Sequence, residues 1–183
     1  MQTTTRLLNA VNIDNIISEF ESSLVDLGKS IDGKVGIPLL LSIKRGCVGH
    51  GPYPNVTFFE AANRIMSDLV ILHGVAGLLK QDKFPFKEYK VEFGNENHND
   101  FDLQASSSTD FLIGEAFNVA PSFFQGKKSH ALKKLKNKGS KANYQILMFN
   151  SDAIDASYCP KHRKDKIYYV VVDVSSKSVT VIS

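Results

Sequence analysis

Two acidic residues in apolar, strand-like surroundings are the groups in this chain best suited to do chemistry. Glu115 lies in the segment 110–120, whose two faces are both apolar except at Asn118. A strand that is apolar on both faces is expected to be central and buried. A carboxylate in such a strand is costly unless it is paired, protonated or bound to a metal. Asp102 lies thirteen residues earlier on the preceding strand-like segment, and two acids on adjacent strands could hold one divalent cation.

The acidic residues in this part of the chain also have purely structural interpretations. A buried carboxylate can pair with an arginine or cap a helix without binding metal. Asp102 could cap the turn that contains Asp100, and Asp100 is its nearest rival as a metal ligand, although Asp102 has the strand context. Glu92 lies on the polar side of its strand, where it could hold a second ion or pair with a lysine across the sheet. The sequence leaves metal binding and internal pairing open for each acid.

Seven lysines are concentrated in residues 116–151, a stretch without Asp or Glu. They are Lys127, Lys128, Lys133, Lys134, Lys136, Lys138 and Lys141. Because these lysines contribute +7 to a net charge of +3, the rest of the chain carries −4. A cluster of one sign is typical of a surface that binds the phosphate backbone of nucleic acid. The alternative is a solvated helix face with lysines near the helix C-terminus, where the helix dipole favours them.

The composition indicates one globular domain. The chain has 183 residues, of which 43% are hydrophobic, and this is enough to form a full core. Cys47 and Cys159 are far apart and form no C-x-x-C pair, which argues against a zinc cluster and favours a reducing cytoplasm. The N-terminus has no signal-peptide core, and no apolar run approaches the length of a membrane span. We therefore expect a cytoplasmic protein with no membrane partner.

Hydrophobic periodicity predicts two helices before the acidic segment. The first covers about 13–27 and ends at Gly28. The second covers about 58–80 and begins at a capping box formed by Thr57 and Glu60. Between them, the short apolar piece at 36–43 has no defined type, and a Gly- and Pro-rich loop follows it. The second helix has a wide apolar surface, so we expect it to pack against a sheet or a partner.

A lysine-rich helix and six strands are predicted in the rest of the chain. The helix begins after Pro121, with Ser122 as its expected cap, and ends at Gly139. The strands are predicted over 87–93, 101–105, 110–120, 144–149, 167–174 and 178–182. The first three strands are joined by turns and suggest an antiparallel meander, whereas the helix suggests a crossover to a parallel strand. We predict a single α/β domain over residues 1–183, a mixed β-sheet flanked by helices.

The element order and the two acids resemble the PD-(D/E)xK nuclease superfamily, which has the restriction-endonuclease-like fold. The αβββαβ core of that family matches the order of elements over about 57–150, half of this chain, to which an N-terminal helix and C-terminal strands are added. In the family the first helix often carries a glutamate, where Glu60 stands here. The second strand begins with a metal-binding aspartate, where Asp102 stands. The third strand carries Glu-x-Lys, where Glu115 and Phe117 stand.

The resemblance implies metal-dependent cleavage of DNA phosphodiester bonds, as in a restriction or repair endonuclease. Mg²⁺ or Mn²⁺ would be held by Asp102 and Glu115, with the Ala116 carbonyl as a further ligand. Glu60 could hold a second ion, although it could also act only as a capping residue paired with Arg64. A homodimer would be needed to cut both strands if each subunit has one site. The exposed part of the first helix could form its interface.

The chain departs from the family motif at the lysine, whose place is taken by Phe117. Lys127 or Lys128 is the expected substitute, since both follow the strand closely, and Asn118 and Gln125 are further candidates. The lysine-rich helix would hold the DNA backbone without reading its sequence. The nuclease interpretation requires both lysines and both acids to line one cleft. Without a substitute, the chain would be a non-catalytic nucleic-acid-binding or immunity-type interaction protein that keeps the nuclease fold.

Overall fold

Seven strands form one mixed sheet in the computed structural model, which describes residues 5–94, 99–139, 141–160 and 167–182. The strands are β1 (Thr5–Asn9), β2 (Glu88–Glu92), β3 (Leu103–Ser106), β4 (Phe111–Phe117), β5 (Tyr144–Asn150), β6 (Ile167–Asp173) and β7 (Ser178–Ile182). They lie in the sheet in chain order, with β1 and β7 at its edges. Strands β4, β5 and β6 are parallel to one another, and each remaining neighbouring pair is antiparallel. The predicted meander of three strands and the parallel strand after the lysine-rich helix are confirmed.

Four α-helices accompany the sheet in the described part of the chain. They are α1 (Ile13–Ser23), α2 (Gly36–Arg45), α3 (Phe58–Gln81) and α4 (Pro121–Lys138). Two short 3-10 turns lie at Leu27–Ser30 and Ser151–Ala153. Helix α3 packs against β4 to β7, and α4 packs against β4 and β5. The molecule is therefore a mixed α/β fold, as the sequence predicted.

Side chains of the central strands alternate between two cores, one under each long helix. In β5, Ile146 and Met148 belong to the core that contains the buried residues of α3. Leu147 and Phe149, which alternate with them, belong to the core that contains Phe124 of α4. Because successive side chains of a strand point to opposite faces, α3 and α4 cover opposite faces of the sheet. This arrangement confirms that the strand bearing Glu115 is central and buried.

Helix α3 begins where the sequence predicted, because Thr57 caps it. Thr57 Oγ1 accepts a hydrogen bond from Glu60 N at 3.2 Å. Two glycines, Gly74 and Gly77, then let the helix approach the sheet closely. A Cβ atom on Gly77 would lie 2.5 Å from Cβ of Val179 in β7, closer than real contacts of this kind. The helix is thus held at its N-terminus by the cap and along its length by close packing.

By length and composition alone, α3 could cross a membrane. An 18-residue window of it has a mean hydropathy of 1.2. The helix is only weakly apolar, and Asp68 and His73 interrupt its apolar sequence. In the structure, 56% of that window is buried within the fold. Packing against the sheet accounts for the apolar surface of α3.

Three local features of the structure were missed or misjudged in the sequence. Strand β1 was not predicted, yet it pairs with β2 and buries Leu8 completely. The segment at 36–43 is helical and forms most of α2, although none of its side chains is fully buried. Ser122 does not cap α4: the N-cap is Ala120, with no side-chain hydrogen bond, and Pro121 supplies the first turn. The predicted turn that contains Asp100 lies partly outside the described residues.

Candidate functional site

Three carboxylates form a row across β2, β3 and β4. Glu92 N donates to the carbonyl of Asp102 at 3.0 Å, which sets these two residues side by side. Leu103 pairs with Gly114, so the same register sets Asp102 beside Glu115. Residues paired across neighbouring strands point to the same face of the sheet. The three acids therefore lie on the face covered by α4.

Asp102 is half-buried and bonded to the neighbouring strand. Its Oδ2 accepts a hydrogen bond from Ala116 N at 2.8 Å, so it does not cap the turn near Asp100. Burial raises the pKa of Asp102, and the charge of Glu92 raises it further, although the Ala116 amide and Lys134 act in the opposite direction. Removal of the carboxylate from water is the stronger effect. An additional positive charge here would stabilise the ionised form.

Glu115 is buried, with 8% of its surface exposed, and Lys134 of α4 reaches it. Lys134 Nζ lies 2.7 Å from Glu115 Oε1 and forms an ion pair with it. Burial, followed by the charge of Asp102, raises the pKa of Glu115 to about 7, although Lys134 and Lys127 lower it. The two neighbouring acids therefore oppose each other's ionisation. Lys134 is the nearby positive charge that favours the ionised form of Glu115.

A cleft of about 600 Å³ opens at the end of β4, between the N-terminal turns of α3 and α4. Its acidic lining residues are Glu60, Asp68, Glu92 and Asp102, and its basic ones are Arg64 and Lys127. Phe59, Phe117 and Phe123 contribute aromatic surface. Glu115 is not part of the lining. The cleft is therefore an acidic pocket that one lysine enters from α4.

The start of α4 is fixed relative to this cleft by Asn150 at the end of β5. Asn150 is buried, and its side chain bonds both the amide and the carbonyl of Val119, each at 2.9 Å. Val119 belongs to the short link between β4 and α4. A side-chain amide that satisfies both backbone groups of one residue holds that link in place. The first turns of α4, and with them Lys127, are positioned by this contact.

The structure brings only part of the predicted site together. Lys127 and Asp102 line the cleft, as the nuclease interpretation requires. Lys128 does not: its Nζ lies over the rings of Phe124 and Tyr158, at 5.4 and 5.5 Å from their centroids. The lysine that meets Glu115 is Lys134, which the sequence interpretation had assigned only to nucleic-acid binding. The prediction that both lysines and both acids line one cleft is therefore wrong for Lys128 and Glu115.

A spacing of seven residues could have identified Lys134 from the sequence. Residues on a helix that are seven apart lie nearly on one face, because each residue advances the helix by about 100°. Lys127 and Lys134 therefore share a face of α4. Lys128 is the next residue after Lys127, so its side chain is rotated by about 100° about the helix axis, away from that face. The choice of Lys127 or Lys128 used distance along the chain and ignored helix rotation.

The other residues of the predicted site have contacts or exposure that the structure defines. Glu60 lines the cleft, but its Oε1 is 2.6 Å from Arg64 Nη2, which confirms the predicted ion pair. Asp100, the rival of Asp102, is exposed and pairs with Lys138 at 2.7 Å. Three other lysines are exposed on or just after α4, namely Lys133, Lys136 and Lys141. Phe117, in place of the motif lysine, packs against the rings of Phe124 and Phe149.

Asp68 is a cleft residue that the sequence interpretation missed. It is 1% exposed in the middle of α3, where its Oδ1 accepts from Gly94 N at 3.0 Å and its Oδ2 accepts from the Tyr53 hydroxyl. Burial raises the pKa of Asp68 to about 7, although both hydrogen bonds lower it. An acid directly before the apolar run 69–72 of this helix was the available signal. Asp68 therefore joins α3 to the loop that contains Tyr53 and to Gly94 after β2.

Comparisons with known proteins identify no relative of this chain. It matches no family model, no curated protein and no solved structure. Function must therefore be inferred from the geometry of the cleft and its acids.

Proposed function

We propose that this chain is a metal-dependent deoxyribonuclease whose restriction-endonuclease-like core consists of α3, β2, β3, β4, α4 and β5. The observation that carries the proposal is the pair Asp102 and Glu115. These carboxylates are neighbours on adjacent strands, and burial raises the pKa of both. Two like charges side by side in a partly desolvated site favour a shared cation. The element order α-β-β-β-α-β supports the same conclusion.

The available oxygen ligands suit Mg²⁺ or Mn²⁺. Within the described ranges, no group of three or more Asp, Glu, His or Cys side chains is arranged to hold an ion. Mg²⁺ does not require such a group, because it commonly binds through one or two carboxylates, water and substrate phosphate. Glu115 is buried, and Asp102 lies beside it. When bound, the ion would neutralise charge on the phosphate and acidify a water molecule.

Two lysines of α4 would together take the role of the motif lysine that Phe117 replaces. Lys134 favours the ionised form of Glu115 through their ion pair, so it acts as a positioning residue. Lys127 lines the cleft with Asp102 and is exposed, so it could contact a phosphate there. The N-terminus of α4 also faces the cleft and adds a positive potential. Lys128 has no role in the cleft in this proposal.

The exposed lysines of α4 would bind the DNA backbone beyond the cleft. Lys133, Lys136 and Lys141 are exposed, and residues 116–151 contain no acidic residue. Contacts from lysines to phosphates position a strand but do not read its bases. The proposal is therefore binding without sequence preference outside the cleft.

A non-catalytic nucleic-acid-binding protein with the same fold is the second candidate. Its support is Phe117, which is 6% exposed and is packed among aromatic rings where the motif lysine would stand. In this case Lys134 would serve only to neutralise Glu115. Stabilisation by Mg²⁺ or Mn²⁺ without cleavage would select this candidate. Stability that is insensitive to both ions, together with no DNA binding, would select an interaction protein.

The decisive experiment compares cleavage of two substrates, a supercoiled plasmid and a single-stranded circular DNA. Each is incubated with the full chain in Mg²⁺, Mn²⁺ or EDTA. We expect metal-dependent cleavage that Asp102→Asn and Glu115→Gln reduce by about a hundredfold or more. Asp100→Asn is the matched control, because Asp100 is an exposed acid two residues away that pairs with Lys138. Cleavage in EDTA, or full activity in both site variants, would reject the proposed metal centre.

A further inference from the structure

We propose that the cleft binds an unpaired DNA strand whose bases stack on Phe59 and Phe123. This inference rests on the proposed function and names its substrate class. Phe59 is in the first turn of α3 and Phe123 is in the first turn of α4, and both line the cleft. The two helices thus present one aromatic ring each to the same opening.

Both rings are more exposed than any other phenylalanine of this chain. Phe59 is 51% exposed and Phe123 is 68% exposed. By contrast, the seven buried phenylalanines are between 0% and 8% exposed; they are Phe84, Phe86, Phe93, Phe101, Phe117, Phe124 and Phe149. A large apolar side chain left in water at the mouth of a cleft is a typical sign of a ligand surface. Neither ring stabilises the core of the isolated chain to the extent that the packed rings do.

Positive charge lies beside the exposed rings, as a nucleic acid strand would require. Lys44 Nζ lies 3.9 Å from the ring centroid of Phe59. Lys127 follows Phe123 by one turn of α4, is exposed and lines the same cleft. Sites for unpaired strands combine aromatic rings, on which bases stack, with cations that follow the phosphates. Since aromatic faces accept any base, the expected binding has little sequence preference.

The size of the cleft also favours one strand over two. Its volume of about 600 Å³ is in the range of clefts that enclose small ligands, about 300–1,000 Å³. A few unstacked nucleotides fit such a space, whereas a duplex would remain outside with its bases stacked and hidden from both rings. A chain with one site can also cut an unpaired strand as a monomer, whereas cutting both strands of a duplex would require two sites.

The test measures binding of two fluorescein-labelled DNAs to the full chain by fluorescence anisotropy, in Ca²⁺ instead of Mg²⁺ so that an oxygen-ligated cation is present without the ion proposed for cleavage. One is a dT oligonucleotide and the other is a hairpin duplex with the same number of phosphates; a gel confirms that both stay intact. The variants are Phe59→Ala, Phe123→Ala and Phe123→Leu, which keeps apolar volume but removes the aromatic face. Phe111→Ala is the matched control, because Phe111 is 37% exposed at the start of β4 and lies outside the cleft lining.

We expect the dT oligonucleotide to bind about tenfold more tightly than the hairpin, which corresponds to about 1.4 kcal/mol. Each of the three cleft variants should remove most of that preference while leaving hairpin binding unchanged, and Phe111→Ala should have no effect. Equal binding of both DNAs, or equal losses for both DNAs in the cleft variants, would overturn the inference while leaving metal-dependent cleavage intact. Failure of both DNAs to bind the folded wild-type chain would overturn the proposed function as well.

Discussion

Lys134 changes how the two strand acids are interpreted at the level of single residues. Without it, Glu115 would be a buried carboxylate beside a second carboxylate, an arrangement that favours protonation. With Lys134 Nζ at 2.7 Å, the ionised form is partly retained. The same contact is compatible with a nuclease and with a non-catalytic relative of one. Substitution of Lys134 tests whether this lysine acts through Glu115, because its removal should raise the pKa of that carboxylate.

Lys134→Met is expected to reduce metal-dependent cleavage by about a hundredfold at neutral pH. Removal of this lysine raises the pKa of Glu115 further above its present value of about 7, because Lys134 lowers it. Since metal binding requires the carboxylate to be deprotonated, the cleavage profile should also shift to higher pH. Lys133→Met is the control, as Lys133 is the adjacent exposed lysine. An activity loss with an unshifted profile would show that Lys134 does not act through Glu115.

Asp68→Asn is expected to change how stability depends on pH. The pKa of Asp68 is raised from 3.8 to about 7 in the fold, so the unfolded chain ionises this group at lower pH than the folded chain does. Between pH 4 and 7 the unfolded state therefore holds fewer protons, and the contribution of Asp68 to the unfolding free energy falls as pH rises. The wild-type chain should lose roughly 2–4 kcal/mol relative to Asp68→Asn across that window.

Urea unfolding of both proteins at intervals from pH 4 to 8 measures this difference. Asp102 and Glu115 have raised pKa values in both proteins, so their contributions cancel in the comparison. Asp100→Asn is a suitable control, because Asp100 is exposed and Lys138 lowers its pKa. Parallel curves for wild type and Asp68→Asn would contradict the raised pKa of Asp68.

Close packing of α3 on the sheet determines the shape of the cleft at the level of secondary-structure elements. The helix carries Glu60 and Asp68 into the cleft, so any displacement of the helix moves both acids. Its approach to β7 depends on Gly77, where no Cβ can be accommodated without a shift of Val179. Helix α4 has no such constraint at Gly126, around which the space is open. Alanine substitutions at the two glycines should therefore change stability in opposite directions: packing decides the effect at Gly77, and helix propensity decides it at Gly126.

Gly77→Ala is expected to destabilise the protein by about 1–3 kcal/mol, because the added methyl group overlaps Val179. Gly126→Ala is expected to stabilise it by up to about 1 kcal/mol, because alanine is the better helix former and nothing lies within 4 Å of the new atom. Chemical denaturation gives both values. Stabilisation by Gly77→Ala would mean that α3 does not pack against β7 as closely as described.

At the level of the whole molecule, charge is distributed unevenly. Residues 116–151 carry +7, while the remaining residues sum to −4. Lys138 is paired with Asp100 and Lys134 with Glu115, which leaves Lys127, Lys133 and Lys136 as the exposed lysines of α4 best able to meet a phosphate backbone. Counterions released from phosphates by such lysines make binding depend on salt.

The double variant Lys133→Gln and Lys136→Gln is expected to lower the salt dependence of DNA binding. Each lost phosphate contact should reduce the slope of log K against log salt by about 0.7–0.9. Lys87→Gln is the control, since Lys87 is an exposed lysine outside this segment of the sequence and pairs with Asp82. An unchanged slope in the double variant would place the DNA on another surface.

Much of the fold could be predicted from local pattern. The strand of Glu115 was identified as buried because it is apolar on both faces, and Thr57 and Glu60 marked the start of α3. Strand β1 was missed because it is five residues long and lies at the edge of the sheet. Ser122 was mistaken for the N-cap because serine is a favourable capping residue. The actual N-cap is Ala120, and the helix begins at Pro121.

The sequence by itself determined which acids and lysines are available and which strand buries Glu115, since these properties follow from composition and periodicity. Only the tertiary structure decided that Lys134 reaches Glu115, that Lys128 lies over two aromatic rings, and that Asp68 bonds Gly94 and Tyr53. Such contacts join residues that are distant in the chain. They depend on the rotation of each helix about its axis and on its position over the sheet, which packing of the whole core sets.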